Sequence, residues 1–119
     1  KSMWYQNLAV TDNVASGQVI RDDKNLYVQI GDSWFAIVVY TYCDAIAAGT
    51  ESVPSLTGVG LYPETTKEDV ANLEGDYEVL VVSQAVQASD MGDDAGAALD
   101  KAFGDVDATN VAEWFKDVA

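Results

Sequence analysis

Asp90, Asp93, Asp94 and Asp100 put four carboxylates into eleven residues. Carboxylates so spaced can bind a cation, trade a proton in acid–base catalysis, or present charge to a basic surface. The first use fails on spacing. Further on, Asp105, Asp107 and Thr109 match the first alternating oxygen ligands of a calcium loop, but Asn110 stands where that loop needs Gly and Lys116 where it needs a bidentate Glu. Clustered acids on a helix are far more often solvated than ligating, so no metal is expected.

Catalysis is equally poorly supplied. Twenty acids offer many carboxylate pairs and favour none, whereas a glycosidase-like pair needs two acids across a cleft with opposed pKa values. With no histidine, serine lacks its usual base and zinc its commonest nitrogen ligand. Cys43, the one cysteine, follows a hydrophobic run and precedes Asp44, a setting that raises a thiol pKa and leaves it inert. Gly58-Val59-Gly60 is not followed by the Gly-Lys-Ser of a phosphate loop. The expectation is a protein that is not an enzyme and uses no cofactor.

Charge presentation is the use that remains. Residues 1–60 hold six acids and three bases, and residues 61–119 hold fourteen acids and three bases, so most of the net charge of −14 lies in the second half. Such a chain repels the phosphates that nucleic-acid binders neutralise, and it suits a basic protein partner. On a helix, Asp90, Asp93, Asp94 and Asp100 fall away from the apolar stripe and form a projecting anionic ridge. The competing explanation is environmental: 14 Asp against 5 Lys also fits a high-salt habitat.

A second candidate surface is aromatic. Leu26 to Ile30 and Ser33 to Tyr42 read as strands flanking Gly31-Asp32, a two-residue loop whose glycine accepts the positive φ of a hairpin turn. That loop sets Ile30 opposite Ser33 and Val28 opposite Phe35. It places Leu26, Val28, Ile30, Phe35, Ile37 and Val39 on a core face, and Tyr27, Gln29, Trp34, Ala36, Val38, Tyr40 and Tyr42 on the other. Tyr27, Trp34, Tyr40 and Tyr42 are rigid amphipathic side chains of the type that anchors interfaces.

The elements that must position these residues follow from pattern. Trp4–Val10 and Gln18–Arg21 read as strands, the second joined to Leu26 by the polar connection Asp22–Asn25. Between Pro54 and Pro63, Ser55–Tyr62 fits an edge strand. Thr66 fits the N-cap of a short helix ending near Leu73. Tyr77–Gln87 is a β-branched run expected to be a strand buried on both faces. Ser89 is the expected N-cap of a helix carrying Met91, Ala95, Ala98, Leu99, Ala102 and Phe103 and ending at Gly104. Asn110 and Glu113 resemble a capping box for a last helix with the stripe Val111, Trp114, Phe115 and Val118.

At 119 residues, with 49% hydrophobic residues and no repeat or linker, the chain reads as one α+β domain over 1–119. Its expected core is an antiparallel sheet of about five strands, an N-terminal β-meander plus the strand at 77–87, covered by C-terminal helices. No uncharged stretch approaches the roughly 20 residues of a membrane span. The chain opens on Lys1 without an apolar leader, consistent with a removed leader or a trimmed chain, and cytoplasmic and extracytoplasmic locations fit equally. The function expected is a small acidic interaction module that binds a basic protein as an inhibitor, immunity protein or nucleic-acid mimic. The alternative is an extracytoplasmic or particle-associated structural domain, acidic because of its environment and joined to its neighbours through the aromatic face.

Overall fold

The computed structural model describes residues 8–71, 79–87 and 94–118. The class is α+β. Four strands, β1 (Leu8–Asp12), β2 (Val19–Ile30), β3 (Ser33–Tyr42) and β4 (Leu56–Leu61), are joined or followed by the 3-10 turn Val14–Ser16 and the helices α1 (Lys67–Ala71), α2 (Ala95–Phe103) and α3 (Ala108–Phe115). They form two antiparallel ladders, β1 with β4 and β2 with β3. With four strands in two two-stranded ladders, the strand number is close to that expected.

The β2–β3 ribbon carries the fold. Its turn is Gly31-Asp32, with Gly31 at φ +63°, and its register is the one the turn predicts: Ile30 faces Ser33, Val28 faces Phe35 and Tyr27 faces Ala36. The polar connection expected at Asp22–Asn25 is instead an irregularity within one strand. Between the Asp23–Val38 and Tyr27–Ala36 pairs, β2 spends three residues where β3 spends one, and pairing then resumes to Val19–Tyr42.

Alternation along the ribbon gives it two faces. On one, Val28 and Ile30 are buried against Val111 of α3, with Leu26, Phe35, Ile37, Val106, Trp114 and Phe115 packed around them. This is the expected core face and the expected helix stripe, except that Val118 lies past the helix and is exposed. The opposite face bears Tyr27 and Trp34 near the turn, both exposed, and Val19, Arg21, Tyr40 and Tyr42 at the far end, where Val19 is buried. Only Val19, Val28, Ile30 and Val111 are buried among the described residues, so each face of the ribbon is fully covered over only part of its length.

Three expectations change. Residues 79–87 of the expected strand at 77–87 belong to neither ladder; Tyr77 and Glu78 lie outside the described residues. Along this stretch half-buried and exposed side chains alternate, with Val79 48% and Val81 68% exposed. The run is therefore covered on one side only, because a doubly buried strand needs a layer over each face and none of the described residues supplies a second one here. The helix expected from Ser89, a residue outside the described ones, starts at Ala95: Asp94 is extended and its carboxylate accepts the Ala97 N–H at 3.1 Å. The last helix likewise starts before Asn110. Asp107 is its N-cap, accepting the Asn110 N–H at 2.8 Å, so the residue expected to cap is itself capped.

Candidate functional site

Open space of about 1360 Å³ surrounds the β2–β3 ribbon and is lined by residues of both its faces. Val10 of β1, Leu56 and Val59 of β4, residues 79–84, and Gly96, Leu99 and Asp100 of α2 also border it, with Trp114 and Phe115 of α3. Residues of both sequence-derived surfaces border this space without being brought into one cleft, since Trp114 and Phe115 lie against the core face and Tyr27 and Trp34 on the other. Tyr27, Trp34, Tyr40 and Tyr42 line it together with Asp94 and Asp100. Asp90 and Asp93 lie outside the described residues.

The four aromatic residues divide into two pairs. Tyr27 and Trp34, 46% and 45% exposed, stand near the turn end of the ribbon. Tyr40 and Tyr42 act as ties. The Tyr42 hydroxyl donates to the carbonyl of Val53 at 2.6 Å, and the Tyr40 hydroxyl donates to Asp12 Oδ2 at 2.9 Å. Asp12 ends β1, so the second bond links the two ladders. Its carboxylate also accepts the Val14 N–H at 3.2 Å and faces Arg21 Nη1 at 3.6 Å, while Arg21 Nη2 lies 3.0 Å from Asp23.

This polar cluster was not visible as a site in the sequence. Its signal was the lone arginine, which strand alternation puts on the same face as Tyr40, its cross-strand partner. The Tyr40 hydroxyl, then the Val14 N–H, and the nearby guanidinium hold the Asp12 carboxyl below the ordinary carboxylate range. Desolvation, with the bond to Asp12, pushes the Tyr40 phenol above its usual value.

Both shifts make the tie pH-dependent. A depressed Asp12 contributes stability that is present above the unfolded-state value near 4 and is lost as pH falls through the folded value. A raised Tyr40 contributes stability that is present below about 10 and is lost as pH rises through its folded value. The difference in urea midpoint between the wild type and Tyr40→Phe is therefore expected to be widest between about pH 5 and 9 and to shrink on both sides. A difference that stays flat from pH 3 to 11 would mean that this bond does not join the ladders in solution.

The space around the ribbon is acidic in detail as well as in sum. Its two bases are already matched, Arg21 with Asp12 and Asp23, and Lys24 with Asp22 at 2.6 Å. Asp32, Asp94 and Asp100, which also line it, make no ion pair among the described residues. Asp94 stands at the N-cap of α2, where its carboxylate accepts the Ala97 N–H, and it borders the same space. Cys43 is exposed just beyond β3, and its N–H donates to the Gln18 carbonyl. Among the described residues no group of three or more metal-ligating side chains is close enough to hold an ion, and no helix is long and apolar enough to cross a membrane.

No family model, curated protein or solved structure matches the chain.

Proposed function

We propose that this chain is a non-enzymatic interaction module that receives a basic protein partner on the β2–β3 ribbon. The observation that supports the reading is that exposed aromatic side chains, Tyr27 and Trp34, and carboxylates without ion pairs among the described residues, Asp32, Asp94 and Asp100, all border this ribbon. Interfaces draw most of their energy from a few aromatic anchors that become desolvated, while surrounding charges set the partner's sign and speed its approach. Tyr27 and Trp34 supply the anchors, and Asp32, Asp94 and Asp100 supply the charge. An inhibitor, an immunity protein and a nucleic-acid mimic are all forms that such a module takes.

The alternative, a structural domain inside a larger assembly, uses the same two aromatic residues and does not need the carboxylates. It draws support from Tyr27 and Trp34 standing half exposed. Salt separates the two readings, since charge-led contacts weaken as the Debye length falls from about 10 Å at 0.1 M towards about 3 Å at 1 M.

The test is capture from a lysate of the source by the immobilised chain, beside a Tyr27→Ala/Trp34→Ala variant. The expected result is a basic protein retained at low salt, released as salt rises, and held on the order of tenfold less well by the variant. Retention that ignores salt moves the weight to the structural alternative. Equal retention by the variant removes Tyr27 and Trp34 from the contact and overturns both readings.

A further inference from the structure

Beyond the open end of the ribbon, residues 44–52 fold back beside Gln18 and Tyr42 and form a hollow of about 220 Å³. Three sets of bonds hold its walls. The Cys43 N–H donates to the Gln18 carbonyl at 3.0 Å, the Tyr42 hydroxyl donates to the Val53 carbonyl, and the Thr50 N–H and hydroxyl both donate to the Ala47 carbonyl. The hollow is smaller than the roughly 300–1,000 Å³ of small-molecule pockets and is on the scale of one long side chain.

Its lining says which side chain. Asp44 and Glu51 border it, no lysine or arginine does, and neither carboxylate makes an ion pair among the described residues. Outside the described residues the chain holds one base, Lys1, against Glu74, Asp76, Glu78, Asp90 and Asp93, so those segments bring far more negative charge than positive. The Thr50 hydroxyl gives its proton to Ala47 and can only accept from an occupant. Tyr42 and Ile46, the latter 52% exposed, add apolar surface.

We propose that this hollow receives an arginine side chain of the basic partner, with Asp44 and Glu51 taking the guanidinium and Tyr42 and Ile46 covering its methylene stem. The inference rests on the reading of the partner as basic and adds a second point of contact. A guanidinium carries five donors and no acceptor in one plane, pairs with carboxylates, stacks on aromatic rings and is more weakly hydrated than an ammonium. A lining rich in acceptors beside a tyrosine is the complement of that group. Calcium would ask for six to eight oxygen ligands, and the described residues bring no three metal-ligating side chains together. Trp34 and Tyr42 are eight residue steps apart on β3, up to about 27 Å, so the hollow and the Tyr27–Trp34 pair engage different parts of the partner.

The probe is arginine capped as its Nα-acetyl methylamide, titrated into the full chain and followed by amide chemical shifts. It is compared with capped citrulline, its neutral isostere, with capped lysine, with free arginine and with calcium ion. The expected result is saturable shifts confined to Gln18 and residues 42–52, with a Kd on the order of 1 mM for so small a ligand. Capped citrulline is expected to bind at least about tenfold more weakly, and capped lysine more weakly than arginine. Free arginine, whose own carboxylate meets two like charges, is expected to bind less tightly than the capped residue. Asp44→Asn/Glu51→Gln, two exposed changes, is expected to lower the affinity about tenfold or more while the shifts of residues 19–41 stay in place. Tyr27→Ala/Trp34→Ala is expected to leave the probe's affinity unchanged.

Citrulline or lysine binding as tightly as arginine would overturn the proposal, as would calcium displacing the probe. So would an absence of shifts in the hollow, or shifts that spread over every acidic stretch without saturating. Tighter binding of free arginine would make the occupant a small molecule and overturn the assignment to a partner. If a basic protein is captured in a Trp34-dependent way and the Asp44→Asn/Glu51→Gln variant captures it equally well, the arginine site is wrong and the interaction module stands. If the probe fills the hollow while no basic protein is captured, the guanidinium site stands and the module reading fails.

Discussion

Val111→Asp is expected to abolish the cooperative fold. Val111 is 1% exposed and meets Val28 and Ile30 at the centre of the cluster through which α3 covers the ribbon's core face. A carboxylate there has no cation within the cluster to pair with, and an unpaired charge so placed costs several kcal/mol. A domain of this length is ordinarily stable by about 6–18 kcal/mol, and with four buried side chains among its described residues this one belongs at the low end. Val111→Ala, which removes two methyl groups and leaves a small void, is expected to cost only about 1–3 kcal/mol. Urea denaturation followed by tryptophan emission, to which Trp114 beside the Val111 cluster contributes, checks both. A Val111→Asp chain with the wild-type midpoint would show that α3 does not close the core.

Gly104→Ala is expected to cost about 2–3 kcal/mol, an unusually large effect for the loss of one glycine on a surface. Gly104 ends α2 at φ +96° and ψ 164°, a region that side chains almost never enter. An added Cβ would also lie 2.8 Å from Asn110 Nδ2, the group that donates to the Asp105 carbonyl and so fixes the start of α3. Backbone strain and the displaced amide thus act on the same junction. Gly60→Ala is the control: its backbone is ordinary and a Cβ there meets nothing, so a change within about 0.5 kcal/mol is expected. Equal costs at the two positions would remove the strain argument.

What could be read from the sequence was whatever local chemistry decides. Gly31-Asp32 set the hairpin register by turn geometry alone, and the alternation on either side named the core face and the Val111/Trp114/Phe115 stripe that meets it. Helix starts were misplaced because several residues compete for one cap. Asn110 has the right side chain, but Asp107 lies one turn earlier and its carboxylate accepts the Asn110 N–H, so the helix has already begun there. The β-branched run at 79–87 was misjudged because propensity describes a strand's suitability and not whether a free edge lies within its reach.

The candidate site was legible as two surfaces. Nothing local says that Asp94 and Asp100 come to border the ribbon that carries Tyr27 and Trp34, since that depends on how α2 returns beside it. The Asp12–Tyr40–Arg21 cluster was hidden for the same reason. Its members lie on three strands, and the bond that joins them spans 28 residues.

The surplus residues in β2 have a consequence for length variation. Two extra residues enter between Asp23 and Tyr27, and since side chains change sides at every step, an even surplus leaves each half of the strand the same way up. Loss of a single residue among Lys24, Asn25 and Leu26 would turn the Val19–Asp23 half over, exposing Val19 and carrying Arg21 away from Asp12 and Tyr40. Loss of a pair would only straighten the strand. At this point the ribbon counts in twos, so sequences that share this architecture are expected to differ here by two residues or by none.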